Sequence, residues 1–201
     1  MCSRGWSYIV KAGTIILLST ILVWFLSRFG WVDGLFGMLA EDEIGNSILA
    51  AFGNAISWIF APLGWGNWQA AVASITGLIA KENIVGTMGV LYGGGELSTW
   101  ATLAQVFTTV TGFSFLVFNL LCAPCFAAMG AIKREMNNGK WTAFAITYQC
   151  GFAYAVSLCI YQIGSAILGK PNVIGLVASA IIIAFTLFML FKPYKESTKF
   201  T

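Results

Sequence analysis

Three stretches of this chain, Ile9 to Phe29, Trp141 to Ile163 and Val173 to Phe191, are apolar over the length a helix needs to cross a bilayer. That length is about 20 residues for roughly 30 Å of hydrocarbon. Lipid offers no water to unpaired backbone groups, so a spanning chain must form helices or a closed barrel. Barrel strands alternate apolar with polar residues. These runs do not alternate, and the chain reads as an all-α integral membrane protein, a polytopic helical bundle. Only 9% of the 201 residues are charged, against about 25% in soluble domains. A water-facing surface cannot be built from that composition.

A fourth stretch, Thr111 to Ile132, also has the length, but Pro124 lies inside it. Proline lacks an N–H and clashes with the preceding turn, so a kink or break is expected there. A fifth, Ser47 to Tyr92, is apolar but interrupted at Pro62, Gly64 and Gly66. The Lys/Arg positions set an orientation. Arg4 and Lys11, the loop with Lys133, Arg134 and Lys140, and the tail with Lys192, Lys195 and Lys199 are expected on the cytoplasmic side, together with both termini. Asp33, Glu41, Asp42 and Glu43 are expected on the opposite face. Ser47 to Tyr92 must then cross the membrane twice or not at all, which predicts a re-entrant hairpin or broken helices lining a cavity. Gly93 to Glu96 reads as a turn before another helix. The N-terminal apolar run lacks a small-residue cleavage site and reads as a retained helix. Residues 1–201 read as one membrane domain with no linker or soluble part.

Several chemistries are excluded. There is no histidine, so imidazole acid–base catalysis and imidazole metal sites are closed to this chain. Cys2, Cys122, Cys125, Cys150 and Cys159 make an odd set, mostly within apolar stretches, and are expected as free thiols. No phosphate-cradling glycine loop and no Ser/His/Asp set occurs, so no nucleotidase or hydrolase activity is expected of this polypeptide. A net charge of +3, scattered along the chain, makes no nucleic-acid surface.

Two clusters could carry chemistry. Lys81, Glu82 and Asn83 put a cation, an anion and an amide in a row inside an apolar segment. Each charge would cost about 2.5 to 3.5 kcal/mol at a lipid-facing helix centre, so both must face a polar interior. They read either as a polar clamp on a broken helix or as lining of a transport path, with different partners because helix neighbours do not face one another. The second cluster is Cys122, Cys125 and Met129, read as thiols three residues apart on one helical face with a thioether one turn on. Pro124 frees a carbonyl beside them. Soft sulfur ligands suit copper, zinc or iron ions, although buried cysteine is also a common small hydrophobe. Asn119 stands nearby as an oxygen donor. Lys133, Arg134 and Glu135 read as a snorkelling helix end, and Tyr148, Gln149, Tyr154 and Gln162 as polar contacts between helices.

Lys11-Ala-Gly-Thr-Ile-Ile and Trp24-Phe-Leu-Ser, Pro62-Leu-Gly-Trp-Gly-Asn-Trp68-Gln69, Ala80-Lys81-Glu82, Pro124-Cys125 and Ile132-Lys-Arg-Glu135 occur in this order. Together they make the chain resemble, over nearly its whole length, the C-terminal membrane part of FeoB, the prokaryotic ferrous iron transporter family. The resemblance implies the second of two Gate modules, with the other half and the N-terminal GTP-binding domain absent, as in a fragment or a split-gene product. It implies Fe2+ as the transported substrate, no tightly bound cofactor, GTP acting only through the absent domain, and a prokaryotic inner membrane. The implied partners are the lipid bilayer and those missing parts, with homo-oligomerisation left open. Cys125 matches the family's Pro-Cys position, while Cys122 does not belong to that motif. Lys81 and Glu82 match its Ala-Lys-Glu and Glu135 the charged end after the Cys helix. Glu82, Asn83 and Asn119 are candidates to complete a weak, transient site. A Gate-type carrier of a nucleoside-like solute and a non-transporting scaffold are the rival readings.

Overall fold

The computed structural model describes residues 13–14, 17–18, 21–22, 24–32, 35–39, 45–79, 81, 83–92, 96–169 and 171–192. Residues 24–28 are helical and run into a two-stranded antiparallel hairpin, β1 (Phe29–Val32) and β2 (Leu35–Met38), with Phe29 opposite Met38. Then follow α1 (Ile48–Phe60), a 3-10 turn (Ala61–Leu63), α2 (Trp68–Ile79), α3 (Asn83–Leu91) and α4 (Glu96–Val106). The chain continues through α5 (Thr109–Leu121), α6 (Phe126–Met136), α7 (Gly139–Ile167) and α8 (Val173–Phe191). The helical architecture agrees with expectation. The hairpin was not foreseen, although its connection, Asp33-Gly34, is a strong two-residue turn signal.

Helix starts follow local chemistry. The first amides of a helix lack intrahelical acceptors, and short polar side chains supply them. Ser47 Oγ accepts from Ala50 N at 3.0 Å, Asn67 Oδ1 from Ala70 N at 2.7 Å, Thr108 Oγ1 from Thr111 N at 3.3 Å and Asn138 Oδ1 from Lys140 N at 3.0 Å.

With 29 residues, α7 is about 43 Å long and α8, with 19, about 28 Å. Both are long and apolar enough to cross a membrane, and their large side chains are widely exposed, as lipid-facing helices require. The rest of the bundle is broken. α1 with its 3-10 turn meets α2 at 97°, and the end of α4 meets α5 at 100°. Neither α1 nor α2, at 13 and 12 residues, spans by itself. This agrees with broken helices between Ser47 and Tyr92. Thr111 to Ile132, in contrast, is not one helix: it divides into α5 and α6 around residues 122–125.

At the centre, Trp65 from the first break is 2% exposed and stacks on Phe60 with ring centroids 4.5 Å apart, while Phe115 meets its face edge-on at 5.1 Å. The α5–α7 crossing is made of small residues. Ser114 and Ser157 are fully buried, their hydroxyls 2.7 Å apart, and Ser157 Oγ donates to the Ser114 carbonyl at 2.8 Å. Without a hydrophobic drive between helices in lipid, such close polar contacts hold a bundle together.

Candidate functional site

Wherever a helix breaks at membrane depth, carbonyls lose their partners and something else must satisfy them. The first break is at Pro62, whose missing N–H would have served Trp58 O. Ala61 N takes that role. Tyr154 OH donates to Ile59 O at 2.8 Å, Gly64 N to Ala61 O at 3.0 Å, Gln162 Nε2 to Pro62 O at 2.8 Å and Ser114 Oγ to Leu63 O at 3.0 Å. Tyr154 and Gln162 are therefore the interhelical contacts expected of them. Tyr148 instead stacks in an exposed row with Phe144 and Phe152.

The second break lies between α5 and α6. Pro124 disfavours helical backbone at the residue before it, and Cys122 and Cys125 are both extended, with ψ of 165° and 159°. The two cysteines thus do not share a helical face, which corrects the expectation from their three-residue spacing. Met129 does follow Cys125 by one turn, its N–H donating to Cys125 O at 2.9 Å, with both residues half-buried. Leu120 O would have accepted from residue 124, which as proline has nothing to give. Lys81 fills the gap: its Nζ donates to Leu120 O at 3.1 Å and lies 3.5 Å from Cys122 O.

Lys81 sits in the turn between α2 and α3 rather than inside a helix. Its hydrogen bond reaches a helix distant in sequence, α5. Asn119 is buried on α5, its Nδ2 donating to Phe115 O at 2.8 Å and its Oδ1 turned toward Gly77 on α2. The structure thus brings Lys81 onto the backbone of Leu120 and Cys122, just after Asn119 in the chain. It adds Cys150, for which the sequence offered no partner: Cys150 Sγ is 3.6 Å from Cys122 Sγ. Both thiols are free. Asn83 opens α3 with its side chain outside the described residues, as is all of Glu82. Glu135 is exposed in the last turn of α6 beside Lys133 and Arg134, whose charges suit a helix C-terminus. Among the described residues no three Cys, Asp or Glu side chains gather closely enough to hold a metal ion.

The 3.6 Å thiol pair makes a direct prediction. A disulfide needs the sulfurs at about 2.05 Å, a small rotamer adjustment from here. Mild oxidation should link α5 to α7, detected as a Cys122–Cys150 peptide by mass spectrometry and lost in Cys150→Ser. A dominant Cys122–Cys125 product would contradict the extended geometry of the break.

Residues 9–139 match the model of the Gate family, described as nucleoside recognition. The chain belongs to the Gate family. Within it, this Gate chain is similar to the Fe(2+) transporter FeoB of Methanocaldococcus jannaschii, 40% identical over 164 residues, which cover 81% of this chain and 24% of that protein. It is similar also to the Fe(2+) transporter FeoB of Staphylococcus aureus strain MSSA476, 34% identical over 157 residues, 78% of this chain and 23% of that protein. A third relative is the Fe(2+) transport protein A/Fe(2+) transporter FeoB fusion protein of Porphyromonas gingivalis, 29% identical over 208 residues, 82% of this chain and 24% of that protein. The chain spans about a quarter of the length of these curated relatives. No solved structure matches it.

Proposed function

We infer that this Gate chain is the pore-forming membrane region of a ferrous iron transporter. The observation that carries this is the 40% identity to a relative named as an Fe(2+) transporter, spread over 81% of the chain. The geometry supports it: the break between α5 and α6 puts carbonyl oxygens and thiols close together, a donor set suited to Fe(II), which accepts both oxygen and soft sulfur. Cys125, with Met129 one turn on and Cys122 across the break, offers sulfur along the path. Lys81 in the α2–α3 turn meets the break, Asn119 stands on α5 just before it and Asn83 opens α3; Glu82, the neighbour of Lys81 in sequence, and Glu135, at the exposed end of α6, are the acidic candidates. A loose arrangement is what conduction needs, since an ion held too tightly does not leave.

The working assembly comprises this membrane domain, the remaining FeoB-like half and a GTP-binding domain, in a prokaryotic inner membrane with both termini cytoplasmic. This chain performs no catalysis in that scheme, and Fe2+ is cargo. Anaerobic uptake of radiolabelled Fe(II) into cells expressing the complete system tests the reading. Cys125→Ser, which exchanges a soft ligand for a hard one, should lower uptake roughly tenfold, the scale on which metal-site contacts act, at equal membrane abundance. Equal uptake would demote Cys125 to packing. The family description, nucleoside recognition, favours as second reading a carrier of a nucleoside-like solute, which would show nucleoside flux indifferent to Cys125.

A further inference from the structure

The two breaks in this fold satisfy their carbonyls in different ways. Around residues 58–63 every donor is uncharged: two backbone amides, a phenol, a carboxamide and a hydroxyl. Around residues 120–122 the donor is the ammonium of Lys81. Hydrogen bonding alone does not call for a charge there, as the first break demonstrates. A full charge within an apolar segment is costly to insert into a membrane. What distinguishes the second break is therefore a preference for positive charge.

The groups around Lys81 explain that preference. Leu120 O and Cys122 O lie 3.1 and 3.5 Å from its Nζ; Cys122 also carries a thiol, 3.6 Å from that of Cys150, and Asn119, the residue before Leu120, turns an amide oxygen toward Gly77 on α2. Carbonyl oxygens and soft sulfur are ligands for a metal cation, and an ammonium can use the oxygens only.

We propose that Lys81 is a tethered cation resident in an ion site at the α5–α6 break, and that permeating Fe(II) enters the site by displacing it. The proposal rests on the ferrous iron reading above. In the resting state the ammonium satisfies Leu120 O and holds a positive charge where an ion would bind. Sodium and potassium carry the same single charge and have little affinity for thiols, so they gain nothing by the exchange. Fe(II) brings twice the charge and binds both oxygen and sulfur, so it competes. Lys81 is in this sense a specificity-determining residue: the apparent affinity for the ion falls by the fraction of time that the site is free. Return of the ammonium would then help to release the ion.

The test uses the purified complete transporter under anaerobic conditions with Fe(II) as the probe. Lys81→Met removes the resident charge, and Fe(II) should bind about tenfold tighter or more than to wild type, the gain expected when an intramolecular competitor occupying most of the site is removed. Lys81→Gln, which can still donate to Leu120 O, should also bind tighter, by a smaller factor. A measurement on the wild type needs no variant: saturating Fe(II) should raise acylation of Lys81 by an amine-reactive ester several-fold, read by mass spectrometry. Unchanged Fe(II) affinity in a folded Lys81 variant overturns the proposal, and so does Lys81 acylation indifferent to Fe(II). Wild-type protein that neither binds nor takes up Fe(II) would overturn the ferrous iron reading instead.

Discussion

Replacing Pro124 by alanine is expected to reduce uptake by the complete transporter more than tenfold while leaving the chain inserted in the membrane. Alanine restores the N–H that Leu120 O lacks and removes the ring that clashes with the preceding turn, a change worth about 3 kcal/mol in favour of continuous helix. α5 and α6 can then join through residues 122–125, which are now outside any helix, with Cys122 and Cys125 extended. Joining would rotate Cys122 away from Cys150, and Lys81 would lose the carbonyl that its Nζ reaches at 3.1 Å. The site would close by becoming a better helix. Two measurements separate this from simple misfolding: membrane abundance should match wild type, and oxidation should no longer give the Cys122–Cys150 link. Pro124→Gly also supplies an N–H, but glycine is about 1 kcal/mol poorer than alanine in a helix, so its uptake should fall between the two. Wild-type uptake in Pro124→Ala with the link intact would mean that tertiary contacts, not proline, hold the break open, and that the proline has no part in function.

How much of this was readable beforehand depends on the range of the physics involved. Val173–Phe191 has the boundaries expected for it because lipid thickness and lack of charge determine them within the segment itself. The break at Pro124 was readable for the same reason, since a missing N–H is a property of one residue. Its consequence for the cysteines was misread: a three-residue spacing implies one face only if the helix persists, and the same proline that frees a carbonyl destroys that face. What covers the freed carbonyl lay out of reach, because Lys81 arrives from 39 residues away. The Cys122–Cys150 pair, 28 residues apart, carries no periodic signal either. Ser114 and Ser157 were missed although small polar residues in apolar helices are a known mark of close crossings. The β1–β2 hairpin did carry a local signal, the Asp33-Gly34 pair in the sequence, but an acidic stretch bears on topology as well as on turns.

The first break should be even less tolerant of change than the second, and Gly64→Ala is expected to cost at least about 3 kcal/mol, enough to deplete folded protein. Gly64 has φ of +89° and ends the 3-10 turn, its N–H donating to Ala61 O at 3.0 Å. A residue with a Cβ resists that left-handed conformation by about 1–2 kcal/mol. The Cβ would in addition enter the ring of Tyr161 on α7, and close-packed interiors yield little to such an intrusion. The two costs can be told apart. Tyr161→Ala in the Gly64→Ala background removes the collision but not the strained backbone, so the pair should recover part of the loss and stay below Tyr161→Ala alone. Thermal unfolding in detergent, followed by tryptophan fluorescence, reads this well because Trp65 sits in the adjoining position, buried against Phe60 and Phe115. Wild-type stability in Gly64→Ala would show that the turn can relax away from α7, and with it that the hydrogen bonds from Gln162 and Ser114 to Pro62 O and Leu63 O do not hold the break in place.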